Sequence, residues 1–495
     1  MSIEPRPLKV VRRPDEFTSD NTRVIARSFQ PRSAKDGRTH ATVNRVLDLP
    51  EDEVDLLLED IKAEYSHRHR DFEEKLEQRF AQEIAPFVPS ADSLSSERKL
   101  LLAAYFTKEY SVESAALFNP SIVPHPNQDR VPEGGMRFIM SFRATGEGHI
   151  SSIVFRSGII NSDCVISFDP ISRYIETPQV RKDAIYDRHL FQLKLNEMDA
   201  CNEVTALLFD RLAGDFTFDK LIGEIERIEE EKRFAEEVQS RTFETMRWLA
   251  CSNYELEFRE DRSISERVIF PISENESNGI EDARFVRFID DDGTVTYYAT
   301  YTAFNGVQIL PQLIETKDFV RFNIITFNGK AVQNKGLALF PRKINGMYVM
   351  VSRQDGVNLN IMYSDHLHFW QEARVIQRPE RPWEFTQIGN CGSPVETGAG
   401  WLLLTHGVGP MREYSIGVQL LDLHDPSKVI ARLDEPILAP NKYEREGYVP
   451  NVVYTCGYMT HKDQLIIPYA MSDTRCAIAS LSVTELLDRL LNRAG

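Results

Sequence analysis

The chain has 495 residues, with 58 basic and 75 acidic side chains and a net charge of −17 at pH 7. Apolar residues at 42% and charged residues at 27% describe a globular chain, long enough for one large or two smaller cores. The acidic balance excludes a nucleic-acid partner, whose phosphates need a basic face, and no run of about 18 apolar residues exists to span a membrane.

The opening, MSIEPRPLKVVRRPDEF, lacks the apolar stretch of a secretory signal, so a cytoplasmic location is expected. Residues 1–112 read as an extension ahead of the main fold, largely helical. Val54, Leu57, Leu58 and Ile61, then Phe72, Leu76 and Phe80, recur at helical spacing. Asp48, Pro50, Glu51 and Asp52 make an acidic helix start. A further helix is expected across SLSSERKLLLAAYFTKEYSVESAAL. A first strand-rich unit spans 113–180. A helical insertion occupies 181–254, with its helices between about 186 and 250. Its charged run IERIEEEKRFAEE reads as a solvated helix face laced by i,i+4 pairs, and not as an interaction tail. The strands resume over 255–485, and 486–495 closes the chain as the end of a helix. Cysteines 164, 201, 251, 391, 456 and 476 form no CxxC and have no His at ligand spacing, so neither a zinc site nor a disulfide framework is expected.

The strand regions repeat. Similar openings occur at FNPSIV from Phe118, IEDARFVRF from Ile280, ALFPRKINGMYVMVSRQDG from Ala338, CGSPVETGAGWLLLTHGVG from Cys391 and VPNVVYTCGYMT from Val449. Each continues as an apolar strand, a Gly or Asp turn and a second apolar strand. Units of this size, unable to bury both faces alone, predict an all-β core built as a five-bladed β-propeller. The alternative is a pair of β-sandwiches with coincidental turn spacing. Where the second strands end stand Arg143, Tyr301, Arg353, His406 and Asp473; Asn119, Glu281, Asp282 and Asn451 occupy the matching openings. In a propeller these positions converge at one mouth of the channel. Singly, each has a structural reading: a hydrogen-bonded His, ion-paired scaffolding for Arg284 and Arg353, a turn carboxylate for Asp282. Together, carboxylates and amides suit polyhydroxylated ligands, because each sugar hydroxyl needs a donor and an acceptor. The added Arg and His call for an anionic second substrate, phosphate being the simplest. No nucleophile-elbow, Walker, dinucleotide-binding or H-E-x-x-H motif is present.

These stretches, with IMYSDHLHFW, LLDLHDPSKVI, PILAPNKYEREGYVPNVVYTCG and IPYAMSDTRCAIA, resemble glycoside hydrolase family 130, the mannoside phosphorylases and related β-mannosidases. The resemblance covers most of 113–180 and 255–485; the two helical blocks look like additions of a longer subgroup. It implies a five-bladed propeller and inverting phosphorolysis of a β-mannoside, β-1,2-linked in this subgroup, giving α-mannose 1-phosphate reversibly. Phosphate is a co-substrate, and no cofactor or metal is implied. By the same resemblance Asp282 is the general acid, passing its proton through a mannosyl hydroxyl. Asn119, Arg143, Glu281, Arg284, Asn451 and Asp473 line the sugar site. Arg353 and His406 bind phosphate, with Lys335 as a third ligand. One position departs: the family's basic residue before I-G is Gln387 here, and Arg412 is expected to supply the charge instead. A raised Asp282 pKa is expected from its neighbour Glu281. The alternatives are an inverting β-mannosidase using water, which needs a carboxylate base, and a non-catalytic glycan-binding propeller. The apolar stripes of the helical blocks are expected to make subunit contacts in a homo-oligomer.

Overall fold

The computed structural model describes residues 8–29, 37–181 and 185–492. Its body is propeller-like and mostly antiparallel sheet. The largest sheet has eleven strands and contains two meanders. One runs through Ala116–Pro124, Met136–Thr145, Ser151–Ile160 and Ile166–Phe168; the other through Gly279–Ile289, Val295–Phe304, Ile309–Thr316 and Arg321–Thr326. A single parallel pair, Gly279 with Ser151, joins them. A four-stranded sheet follows over Ala338–Gln377, then a five-stranded one over Gln387–Arg432. A further five-stranded sheet takes Val453–Tyr454, Met459–His461, Gln464–Met471 and Arg475–Ser482.

Apolar clusters fill the spaces between neighbouring meanders, because each sheet is apolar on both faces. Phe118 and Phe142 pack with Ile466 and Ile478; Phe155 packs with Phe285 and Phe322; Leu313 and Phe327 pack with Met350 and Trp370. Phe340 and Val351 pack with Trp401, and Leu404 and Val418 with Ile467 and Tyr469.

The extension departs from its expected place ahead of the main fold. Val11–Phe17 pairs antiparallel with Arg475–Ser482, so it is the outer strand of the final sheet. The expected helix from Ser93 onward also ends early. It runs Ser96–Tyr105, with Ser95 accepting from the Arg98 amide as its cap, and Thr107–Glu113 is a strand paired with Asp20–Ser28. Tyr110 and Val112 are buried on alternate positions, a period of two that overrides the helical composition around them. The acidic helix start is found at Glu51–Tyr65, with Glu51, Asp52 and Glu53 in its first turn.

The apolar stripes of the helical blocks are covered within the chain. Val43, Leu58, Leu76 and Leu101 form one core, and Leu195, Val204, Leu208, Ile225, Phe243 and Met246 another. The subunit contacts expected from unpartnered stripes therefore lose their stated reason. Three of the insertion helices begin on caps that satisfy free amides, namely Asp187, Asn202 with Thr205 in a reciprocal pair, and Thr217, while Glu236–Cys251 follows Ala235 without one. No helix among the described residues is long and apolar enough to cross a membrane. The last helix is Val483–Leu491, and residues 493–495 of the expected C-terminal helix end lie outside the described residues.

Candidate active site

The inner strands are bent where the polar residues stand. The pairing of Ala116–Pro124 slips between Phe118 and Ser121, and that of Gly279–Ile289 between Glu281 and Arg284. At these bulges Asn119 and Asp282 take left-handed backbones, with φ of 48° and 57°. Asn451 and Asp473 do the same, at 64° and 50°. Asn and Asp tolerate this region better than other side chains, which explains the residue types as far as the backbone is concerned. A bulge turns a side chain out of the sheet's alternation, and strained residues gather at functional sites.

Asp282 is the centre of a cationic cradle. Its Oδ1 accepts from Asn119 Nδ2 at 2.7 Å and from Arg143 Nη1 at 3.3 Å. Arg143 also donates Nη2 to Glu281 at 2.8 Å and Nε to Ser151 Oγ at 2.9 Å, and lies over the Phe118 ring. The other oxygen of Glu281 takes Lys335 Nζ at 2.6 Å. The expected rise in the Asp282 pKa is reversed. Burial acts to raise it, but Arg143, Lys335, the Asn119 bond and Arg284 together hold it below the ordinary carboxylate range. Glu281 is neutralised by its own two cations and so exerts little repulsion. The carboxyl that is raised belongs to Asp473: burial first, then the Asp282 charge, push it up to about 6 against Arg143 and Arg412.

A second sector adjoins this cradle. Arg284 donates Nη1 to Asn390 Oδ1 at 3.0 Å and Nη2 to the Tyr454 hydroxyl at 2.5 Å. Asn390 in turn donates to the Gly336 carbonyl, beside Lys335. The Asn390 carbonyl lies 3.0 Å from His406 Nδ1, and His406 Nε2 lies 3.2 Å from Arg353 Nη1. Guanidinium only donates, so Nε2 is the acceptor and Nδ1 carries the proton. Burial, followed by the Arg353 and Arg284 charges, pushes the His406 pKa well below its ordinary value, in keeping with a neutral ring. Arg353 Nε is buried without a hydrogen-bond partner.

The predicted residues thus fall into two adjoining groups, from which Tyr301 is turned away. Tyr301, placed in the ring by the repeat, is buried, and its hydroxyl meets Glu276 at 2.6 Å and Gln312 at 2.5 Å inside the sheet. The carboxylate of Glu276, itself buried, draws the phenol inward. Lys335 sits on Glu281, on the Asp282 side of the site. Asn451 accepts from Arg445 at 3.0 Å. Gln387 donates to the Tyr414 hydroxyl at 3.4 Å; the Tyr414 ring stacks on His406 and carries the Arg412 guanidinium at 5.8 Å from its centre. Arg412 therefore stands in the sector where the basic residue is replaced. Sequence reasoning missed Asn390, which links Arg284, His406 and Gly336. Its signal was present: it directly precedes the C-G-S-P opening, as Asn119 and Asn451 mark theirs. Among the described residues, no group of three or more His, Cys, Asp and Glu side chains could hold a metal.

A family model described as β-1,4-mannooligosaccharide phosphorylase, glycoside hydrolase family 130, matches residues 259–492. A 1,2-β-oligomannan phosphorylase of Thermoanaerobacter sp. (strain X514) is 38% identical over 226 residues, 43% of this chain and 72% of the relative. A β-1,2-mannobiose phosphorylase of Listeria innocua serovar 6a is 32% identical over 232 residues, 45% of this chain and 63% of the relative. The solved structure of a Listeria innocua β-1,2-mannobiose phosphorylase, in complex with β-1,2-mannobiose, covers 77% of this chain and 93% of its own, at 22% identity and a TM-score of 0.45.

Proposed function

Because the chain belongs to glycoside hydrolase family 130, we propose that it phosphorolyses β-mannosides, β-1,2-linked oligomannosides foremost, to α-mannose 1-phosphate with inversion and in both directions. The observation that carries this reading is the pairing of a carboxylate cradle with a neighbouring guanidinium that retains unused donors. We count five blades, taking the two meanders of the large sheet separately. Five apolar clusters link each meander to the next and the last back to the first, which supports the count.

Asn119, Arg143, Glu281, Arg284, Asn451 and Asp473 hold the mannosyl unit, and Asp282 supplies the proton through one of its hydroxyls. Asp282 is ionised in the free protein, so it takes that proton up from solvent as the complex forms and passes it through that hydroxyl to the leaving oxygen. Phosphate brings a negative charge next to the cradle, which raises the Asp282 pKa. Phosphate then attacks the anomeric carbon in line as the glycosidic bond breaks, and positioning provides most of the acceleration. Among the described residues, no carboxylate hydrogen-bonds to Arg353 or His406, the place where a hydrolase would need its base.

Arg353 is the anion ligand, with Arg412 beside it. His406 acts through Arg353: as an acceptor at Nε2 it fixes one guanidinium nitrogen and leaves the rest for phosphate. Arg353→Ala should raise the KM for phosphate about 10- to 100-fold, the loss of a charge-assisted hydrogen bond, and leave the KM for the mannoside within about twofold. An effect confined to the mannoside would overturn the assignment. Initial rates with phosphate omitted test the reaction class itself: mannoside consumption in its absence would mean hydrolysis.

Asp473 gives the pH dependence. Its carboxylate accepts sugar hydroxyls better when ionised, and it ionises as pH rises through about 6. kcat/KM for the mannoside should therefore rise about tenfold between pH 5 and 7. In Asp473→Asn that limb should disappear while the phosphate-dependent part of the profile stays. A profile identical in the variant would remove Asp473 from this role.

A further inference from the structure

Two loops meet at the rim of the site, over the seam between the first and the final meander. Loop 146–150 follows the strand of Arg143 and carries His149, at a left-handed φ of 59°. Loop 443–450 precedes Asn451 and carries Tyr448. The two rings stack, with centroids 5.7 Å apart and planes 24° from parallel. Tyr448 nonetheless keeps 68% of its surface exposed, and His149 is exposed as well, so the pair leaves aromatic surface open to solvent.

Both loops are tied to site residues. The Tyr448 amide donates to Thr474 Oγ1 at 2.8 Å, next to Asp473, and the Val449 amide to the Ser472 carbonyl at 3.1 Å. Two residues past His149, Ser151 holds Arg143. The first loop is also braced by the N-terminal extension, which lies outside the residues matched by the family model. The Tyr110 hydroxyl donates to the Glu147 carbonyl at 3.0 Å, and Lys108 pairs with the Glu147 carboxylate at 2.8 Å. Gly146 lies so close to this strand that a Cβ there would come 2.1 Å from the Ser111 carbonyl oxygen.

Two aromatic rings already held by each other lose little freedom when a ligand covers them. A pyranose ring presents C–H groups on its faces and hydroxyls around its edge, so its face packs on such a surface while its hydroxyls stay solvated. We propose that the His149–Tyr448 pair is the platform for a sugar of the leaving, acceptor portion of the oligomannoside, and that Tyr110 of the extension positions it. This rests on the mannoside phosphorolysis proposed above and adds the residues that select the acceptor.

The synthetic direction separates the two sugars. With mannose 1-phosphate as donor and β-1,2-mannobiose or mannotriose as acceptor, Tyr448→Ala should raise the acceptor KM about five- to tenfold. The KM for mannose 1-phosphate and kcat should change less than twofold. Tyr448→Trp should restore the acceptor KM, and Tyr110→Phe should raise it by a smaller factor with the same sparing of the donor. An unchanged acceptor KM in Tyr448→Ala, or an equal rise for donor and acceptor, would overturn the platform. Saturation-transfer NMR with β-1,2-mannotriose needs no turnover. Transfer to the ring-face protons of the acceptor sugars should fall in Tyr448→Ala, and its persistence would overturn the proposal even if the chain catalysed a different reaction. A wild-type protein inactive on every mannoside, yet showing that loss, would instead refute the reaction and keep the platform.

Discussion

Asp282→Asn is expected to lower kcat for mannoside phosphorolysis by about two to four orders of magnitude with the fold intact. The amide keeps the shape of the carboxylate, and one oxygen remains to accept from Asn119 at the bulge. What it cannot do is donate a carboxylic proton or balance the charges of Arg143, Lys335 and Arg284. Single-turnover rates with saturating phosphate isolate the chemical step, and an unchanged melting midpoint confirms folding. Asp473→Asn is the companion experiment, since Asp473 is the carboxyl that carries a proton near pH 6 in the free protein. If Asp282→Asn phosphorolyses mannosides at close to the wild-type rate while Asp473→Asn does not, the acid is Asp473. Two carboxyls pushed apart by their surroundings are the usual sign of divided proton-transfer roles, so the pair of variants decides which one leads.

The second large effect concerns stability. Glu113 is fully buried between two arginines: Arg156 donates Nη2 to both of its oxygens, at 2.9 and 3.1 Å, and Arg23 pairs with it on the other side. Arg23 reaches further, to the carbonyls of Ser265 and Ser172. The triad fastens the paired strands Asp20–Ser28 and Thr107–Glu113 to Ser151–Ile160 of the propeller-like body. Removing one partner of a buried ionic group leaves uncompensated charge, which costs about 3–5 kcal/mol. Glu113→Ala leaves two guanidinium groups facing each other without an anion, so its unfolding free energy should fall by about 3–5 kcal/mol, read as a lower denaturation midpoint. The triple replacement Glu113→Leu, Arg23→Met and Arg156→Met should recover most of the loss, since an apolar packing of similar volume is often neutral. A Glu113→Ala protein with a wild-type midpoint would show that the triad contributes nothing.

The body of the fold was legible because its signal is repeated. Alternating apolar strands between Gly and Asp turns recur along the chain, and the polar positions share a register with Asn and Asp at the bulges. Three things were not legible, each for a physical reason. Val11–Phe17 reads V-R-R-P-D-E-F, too polar for a strand, because an edge strand needs only one buried face and tolerates Pro where no partner lies beyond. Thr107–Glu113 sits in helix-forming company, and only its contact with Asp20–Ser28, about ninety residues earlier, decides it. The ionisation of Asp282 depends on Asn119, Arg143 and Lys335 from distant segments, with Arg284 two residues on, whereas the sequence reading weighed only the neighbouring Glu281. The repeat register brought His406 and Arg353 to one mouth, but the acceptor role of His406 follows from which nitrogen faces the Asn390 carbonyl and which faces Arg353, an orientation that spacing does not fix.

The pairing of Val11–Phe17 with Arg475–Ser482 has a kinetic side. Two strands so far apart in the sequence cannot pair during synthesis until both have left the ribosome. Such a late, non-local step slows assembly and leaves a bare strand edge on the growing chain in the meantime. Once made, the same contact works in reverse: undoing it requires peeling away a strand that is also anchored by Arg12 on Glu444. The protein should accordingly be slow to fold, slow to unfold, and most vulnerable to aggregation in the interval before these two strands meet.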